Sequence, residues 1–247
     1  MRYSKATLIL SMLGTFAAVA SAQSFSGSVD TLCNVTGGSR VCETYSVLAP
    51  GQTSTSMRLD NAGPGITGFG QAYAGPGLLL ASDDVSSIGT PYGQSWGKAY
   101  YRDAVRWTGT SPITVRINAR LGSWFDMAGS NSTSTAGGYA NFTFFADGYN
   151  INQTMQRSTS YLGYDTLRGA ITDVIVTLQP GKWYSFTNTL QSDGGSYDHY
   201  APYSANYSRG NYSLKLWFEA VSGGGVGTLQ SGSGHDYAVE PVIPAAG

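Results

Sequence analysis

From residue 57 onward the chain is a run of short segments in which apolar and polar residues alternate one for one, separated by clusters of Gly, Pro, Asn and Asp. No window of helical length carries an apolar stripe at a 3.6-residue period. Period-two alternation sends successive side chains to opposite faces of an extended strand, so each segment buries one face and leaves the other to solvent. Regularly punctuated strands of this kind build stacked antiparallel sheets. The expected fold is all-β, an antiparallel, jelly-roll-like β-sandwich in a single domain over residues 56–237. No internal repeat is long enough for a solenoid or propeller.

The clearest strand covers residues 113–121, with Ile113, Val115, Ile117, Ala119 and Leu121 on one face and Thr114, Arg116, Asn118 and Arg120 on the other. Residues 96–107 set Ala99, Tyr101, Val105 and Trp107 against Trp96, Lys98, Tyr100, Arg102 and Arg106. The short link Thr108-Gly109-Thr110-Ser111-Pro112 predicts that these two strands form a hairpin. Further strands are expected over residues 139–146, 174–178, 184–190 and 214–221. Gln179-Pro180-Gly181-Lys182 reads as a turn in which Pro presets one dihedral and Gly permits a positive φ. Residues 129–138 and 192–204 read as loops, residues 222–225 as a turn or hinge, and residues 238–247 as a flexible, extended tail.

The start of the chain has the pattern of an export signal over residues 1–22. Arg2 and Lys5 precede a mostly apolar stretch, and Ala20-Ser21-Ala22 supplies a small-x-small cleavage site. Residues 23–55, an N-terminal segment, are Ser/Thr/Gly-rich and weakly patterned, and carry the chain's two cysteines, Cys33 and Cys42. The Gly37-Gly38 pair between them favours a reversal, and an oxidising compartment favours their disulfide. Closing so short a loop stabilises a fold by about 2–3 kcal/mol.

Composition narrows the function. Charged residues make up 12 % of the chain, with a formal net charge of −1. A nucleic-acid binder that neutralises phosphates needs a basic excess, which this chain lacks. Beyond the signal no apolar run is long enough to span a membrane. His199 and His235, with Asp193, Asp198 and Asp236 nearby in sequence, have no metal-ligand spacing and read as exposed loop residues. No cofactor motif is present; calcium at Asp83-Asp84 or at Asp193 and Asp198 stays open. Gly232-Ser233-Gly234 is too short for a nucleophile elbow. Glycoside hydrolysis requires two facing carboxyl groups. Glu219, on a strand beside Lys215 and Trp217, is the one well-placed candidate.

The sharpest local signal is the polar side of the expected hairpin. Lys98, Arg102, Arg106, Arg116 and Arg120 share it by parity with Trp96 and Tyr100. Guanidinium groups pair carboxylates bidentately and flat rings stack on sugar faces, so such a surface suits an anionic polysaccharide. The plainer alternative is a solvated face whose cations pair with Asp or Glu on adjacent strands.

Three blocks carry a family resemblance: Gln71-Ala72-Tyr73-Ala74-Gly75-Pro76-Gly77-Leu78-Leu79-Leu80-Ala81, Ala99-Tyr100-Tyr101-Arg102-Asp103-Ala104-Val105-Arg106-Trp107-Thr108-Gly109, and Ser204-Ala205-Asn206-Tyr207-Ser208 continuing to Gly232-Ser233-Gly234-His235-Asp236-Tyr237. With their spacers they span residues 68–237 and resemble bacterial exported β-sandwich proteins of the PEP-CTERM type. Val239-Glu240-Pro241 keeps part of that family's sorting motif, while residues 242–247 lack its apolar span and its Arg cluster. The resemblance implies release from the cell into a surface or exopolysaccharide setting, and it carries over no catalytic residues. The expected role is a secreted, extracellular, non-catalytic binding or structural protein, possible partner an anionic polysaccharide. The competing classes are a glycan-degrading enzyme and a self-assembling surface protein with Tyr-rich strand edges; oligomeric state stays open.

Overall fold

A computed structural model describes residues 26–36, 40–47, 54–63, 66–88, 92–128, 135–146, 149–159, 163–196 and 205–243. The expected signal, residues 1–22, lies outside them, as do His199 and Asp198. The described strands are β1 (Ser26–Thr36), β2 (Arg40–Val47), β3 (Thr55–Gly63), β4 (Ile66–Gly75), β5 (Leu78–Ile88), β6 (Tyr92–Trp107) and β7 (Ile113–Ala128). They continue with β8 (Thr135–Ala146), β9 (Tyr149–Thr159), β10 (Gly163–Leu178), β11 (Trp183–Ser196), β12 (Ala205–Gly223) and β13 (Leu229–Ser231).

Two antiparallel sheets face each other, and no helix occurs among the described residues. Sheet A has the order β2-β1-β6-β11-β8-β9, with β13 also on β6. Sheet B has the order β10-β7-β12-β5-β4-β3. The pairs β5·β12, β6·β11 and β7·β10 are nested in sequence. A three-strand run leads out and another returns along it, which is how a jelly roll wraps. The all-β sandwich expected from the alternation is therefore present.

The expected hairpin over residues 96–121 is not. β6 belongs to sheet A and β7 to sheet B, so the link between them arches from one sheet to the other. Its polar groups are held from outside the link. The Thr108 N–H donates to Thr228 O at 3.0 Å, and Pro112 O accepts from the Gly224 N–H at 2.9 Å. The turn at residues 179–182 crosses between the sheets beside it, and the Gly181 N–H donates to Trp107 O at 2.8 Å. Gly181 has φ of 73°, the left-handed conformation expected of that glycine. Residues 26–36 and 40–47, weakly patterned in sequence, form the β2-β1 edge of sheet A. Residues 135–138 and 192–196, read as loop, extend β8 and β11.

Parity does predict the core. Ala99, Tyr101, Val105 and Trp107 of β6 and Ile113, Val115, Ile117, Ala119 and Leu121 of β7 are all buried. One part of the interior is aromatic: Phe186 of β11 lies 5.7 Å, ring to ring, from Phe218 of β12, and Phe144 of β8 lies 6.1 Å from Phe218. Each such ring stabilises the fold by about 1.5–3 kcal/mol through burial. Elsewhere the sheets approach backbone to backbone. A Cβ on Gly97 of β6 would sit 2.0 Å from the Gln71 carbonyl oxygen of β4. Nearby, the Ser95 hydroxyl donates across the sandwich to Asp84 O at 3.0 Å.

A strap near the C-terminus ties the layers together. β13 pairs with β6 in sheet A, and six residues later the Phe218 N–H of β12 in sheet B donates to Tyr237 O at 2.7 Å. The Tyr237 ring meets Phe186 and Phe218 edge-on at 5.3 and 5.8 Å. Its hydroxyl donates to Asp103 of β6 at 3.0 Å. Asp103 is almost wholly buried and accepts four further hydrogen bonds. They come from the Tyr101 hydroxyl at 3.1 Å, the Ser233 hydroxyl at 2.5 Å, and the Ser233 and Ala104 N–H groups at 3.1 and 2.7 Å. Among the described residues no cation pairs with it, so hydrogen bonds alone offset the cost of burying this carboxylate.

Candidate functional site

The arch between β6 and β7 divides the expected basic surface. Trp96, Lys98, Tyr100, Arg102 and Arg106 project from the outer face of sheet A, and Arg116 and Arg120 from the outer face of sheet B. The five cations thus do not share one face. This corrects the hairpin expectation: parity assigned each side chain to the outside correctly, but the two outsides are opposite faces of the sandwich.

The two faces differ electrostatically. On sheet B the cations Arg116, Arg120 and Lys215 are matched. Arg116 pairs with Glu219 of β12 at 3.1 Å, while Arg120 and Lys215 each reach Glu240 at 3.2 Å. The Arg120 guanidinium also lies 5.3 Å from the Trp217 ring centre. Glu219, the candidate catalytic carboxylate, stands exposed on this flat face in the hold of Arg116. Exposed pairs of this kind each contribute at most about 1 kcal/mol. For Arg116 and Arg120 the plainer alternative, cations neutralised by neighbouring carboxylates, holds.

On sheet A, Lys98 and Arg102 are exposed and, among the described residues, no carboxylate pairs with either. The register sets Asp30 of β1 opposite Lys98. Tyr100 lies half-buried between the two cations. Burial pushes its hydroxyl above the ordinary pKa, and the nearby Arg102 charge opposes that shift. Arg106 is engaged: its guanidinium lies 4.8 Å from the Trp183 ring centre, and its Nη2 donates to Gln230 Oε1 at 2.6 Å. Trp96, Tyr100 and Trp183 are all half-buried, leaving part of each ring at the surface beside the cations. Chemically, this face offers two exposed cations, unpaired among the described residues, and flat rings, the set that holds carboxylate-bearing sugars.

The other candidates disperse. Asp83 and Asp84 are neighbours on β5 and point to opposite faces, Asp83 fully buried and Asp84 outward with Arg209 at 2.8 Å. They do not jointly face a cation. Among the described residues no group of three His, Cys, Asp or Glu side chains converges in a way that holds a metal. His235, read as an exposed loop residue, is half-buried with its ring 4.6 Å from that of Tyr237. Its Nε2 is buried without a hydrogen-bond partner. Burial lowers the imidazole pKa, against the opposing pull of Asp103 and Asp236. Ser233, His235 and Asp103 lie close together yet form no relay, because the Ser233 hydroxyl donates directly to Asp103 and the imidazole bonds neither. Cys33 and Cys42 occupy directly opposed register positions on β1 and β2.

Comparison with known proteins returns no matching family, no matching curated protein and no matching solved structure.

Proposed function

We propose that this chain is an exported, non-catalytic binding protein of the extracellular matrix, and that the outer face of sheet A takes up an anionic polysaccharide. The observation that carries this reading is the contrast between the two basic faces. Arg116, Arg120 and Lys215 are already paired with Glu219 and Glu240, whereas Lys98 and Arg102 are exposed, flanked by Trp96 and Tyr100, and among the described residues paired with no carboxylate. A cation at the surface that no neighbouring described carboxylate neutralises is available to a carboxylate on a ligand.

Export is supported by the signal pattern over residues 1–22 and by the cysteines. The register puts Cys33 opposite Cys42. Directly opposed residues of an antiparallel pair have Cα atoms about 4.5–5.5 Å apart, inside the range a disulfide spans. We take the pair to be bridged, as in a chain folded in an oxidising compartment. The likeness to exported sandwich proteins of the PEP-CTERM type supports the same extracellular setting.

Binding of the purified mature chain to polygalacturonate, measured across a salt series, tests the reading. Affinity falls as ionic strength rises, because exposed charges are screened beyond about 8–10 Å. Replacing Lys98→Ala together with Arg102→Ala weakens binding about tenfold or more, as expected for lost charge-assisted bonds. Replacing Arg116→Ala together with Arg120→Ala leaves binding within about twofold, since surface ion pairs contribute little. Equal loss in both double variants contradicts the proposal, and release of new reducing ends identifies an enzyme instead.

A further inference from the structure

The cationic strand β6 has β1 on one side and β11 on the other in sheet A. β11 and β8 lie beside it, and the register continues each of its rows. Arg102 is opposite Thr187, which is opposite Thr143; Tyr100 is opposite Thr189, which is opposite Asn141. The outward positions of β8 from Tyr139 to Phe145, and of β11 from Ser185 to Gln191, carry no charged residue. In their place stands a lattice of hydroxyls and amides. Its repeat is about 4.8 Å across the strands and about 6.8 Å along them, as sheet geometry requires.

Three further features fit this lattice to a sugar chain. Among the described residues no hydrogen bond engages the side chains of Thr187, Thr189 or Gln191. Beside them, Asn141 is fixed in orientation: its Nδ2 donates to Asn152 Oδ1 at 2.7 Å, and its Oδ1 accepts from the Thr143 hydroxyl at 3.1 Å. At the two ends of the same face of β8, the rings of Tyr139 and Phe145 are 36 % and 44 % exposed. Six residues of strand separate them by about 20 Å. From β6 across to β8 the face therefore presents two cations, then the hydroxyls of Thr187 and Thr189, then the fixed amide of Asn141 and two exposed rings.

We infer, building on the proposed function, that this face selects its ligand by hydroxyl groups as well as by charge. The occupant is a linear polyuronate whose carboxylates meet Lys98 and Arg102 while its hydroxyls lie on Thr187, Thr189 and Asn141. Charge complementarity sets this choice. A polyanion charged along its whole width, such as polyphosphate, meets Lys98 and Arg102 on β6 and gains nothing from the uncharged outward positions of β11 and β8 beside them. A neutral glucan finds the lattice and leaves the cations unused.

The test uses polygalacturonate, polyphosphate and dextran as probes at one fixed ionic strength, with Thr187→Val and Thr189→Val combined. Valine keeps the branched shape suited to a strand and removes the hydroxyls. The urea midpoint checks that each variant is folded. The expected result is at least fivefold weaker polygalacturonate binding with polyphosphate binding unchanged, while Lys98→Ala with Arg102→Ala weakens both. Dextran binds more weakly than polygalacturonate throughout. If the valine variant loses neither ligand, or loses both equally, the hydroxyl lattice plays no part and the inference falls, with the role of Lys98 and Arg102 intact. If the unaltered protein binds no polygalacturonate at all, the proposed function and this inference fall together.

Discussion

Replacing Tyr237→Phe removes one oxygen atom and leaves the ring in place against Phe186 and Phe218. What disappears is one of five hydrogen bonds to the buried Asp103 carboxylate. A hydrogen bond to a charged group contributes about 1.5–3 kcal/mol net, so the variant loses that much stability. For a chain of this size that corresponds to roughly 2–4 °C in Tm per kcal/mol. Urea unfolding followed by tryptophan fluorescence measures it, with an unchanged slope showing that the same surface unfolds. The charge of the acceptor is itself testable. Against Asp103→Asn, where the acceptor is neutral, the same Tyr237→Phe change costs only about 0.5–1.5 kcal/mol. The cycle then yields a coupling of about 1 kcal/mol between the two sites. A loss below about 0.5 kcal/mol, or the same loss in both backgrounds, refutes the view that this carboxylate holds the strap to β6.

Three other perturbations probe separate parts of the fold. Gly97→Ala puts a methyl group 2.0 Å from the Gln71 carbonyl oxygen, so the sheets must separate; a loss of about 3 kcal/mol or more is expected in urea unfolding, against about 1 kcal/mol for Gly181→Ala, which meets no atom and bears only positive-φ strain. The lowered pKa of His235 means that the folded chain binds this proton more weakly than the unfolded chain. Its contribution is complete above the ordinary imidazole value of 6.5 and is lost as pH falls through the lower folded value; Tm should therefore drop between pH 7.5 and pH 5, and by less in His235→Gln. Peptide mapping under non-reducing conditions should recover Cys33 and Cys42 as one linked species, and free thiols at both positions would contradict the bridge.

Local chemistry made the faces of the strands legible in the sequence. Alternation in β6 and β7 correctly divided Tyr101 and Val105 from Lys98 and Arg102, and Ile117 from Arg116, because burial of one face enforces period two. Alternation carries no information about partners, however. A five-residue link serves a hairpin or an arch equally well, and the choice here rests on distant groups, Thr228 and Gly224, that bond the link. Asp103 shows the complementary failure. It occupies an inward position between Tyr101 and Val105, and that misplaced charge was the available sign of a buried polar centre, but its donors Ser233 and Tyr237 come from the far end of the chain. The neutral lattice of Thr187, Thr189 and Asn141 was hidden for the same reason: it exists only because β11 and β8 come to lie next to β6.

Chemical-shift mapping with an oligogalacturonate is the most direct test of the proposed surface. Backbone amide resonances should move along β6, β11 and β8, centred on Lys98, Arg102, Thr187 and Thr189, with those of β7 and β12 on the far side of the sandwich unchanged. Shifts centred instead on Arg116, Trp217 and Glu219 would put the ligand on the opposite sheet and contradict the account.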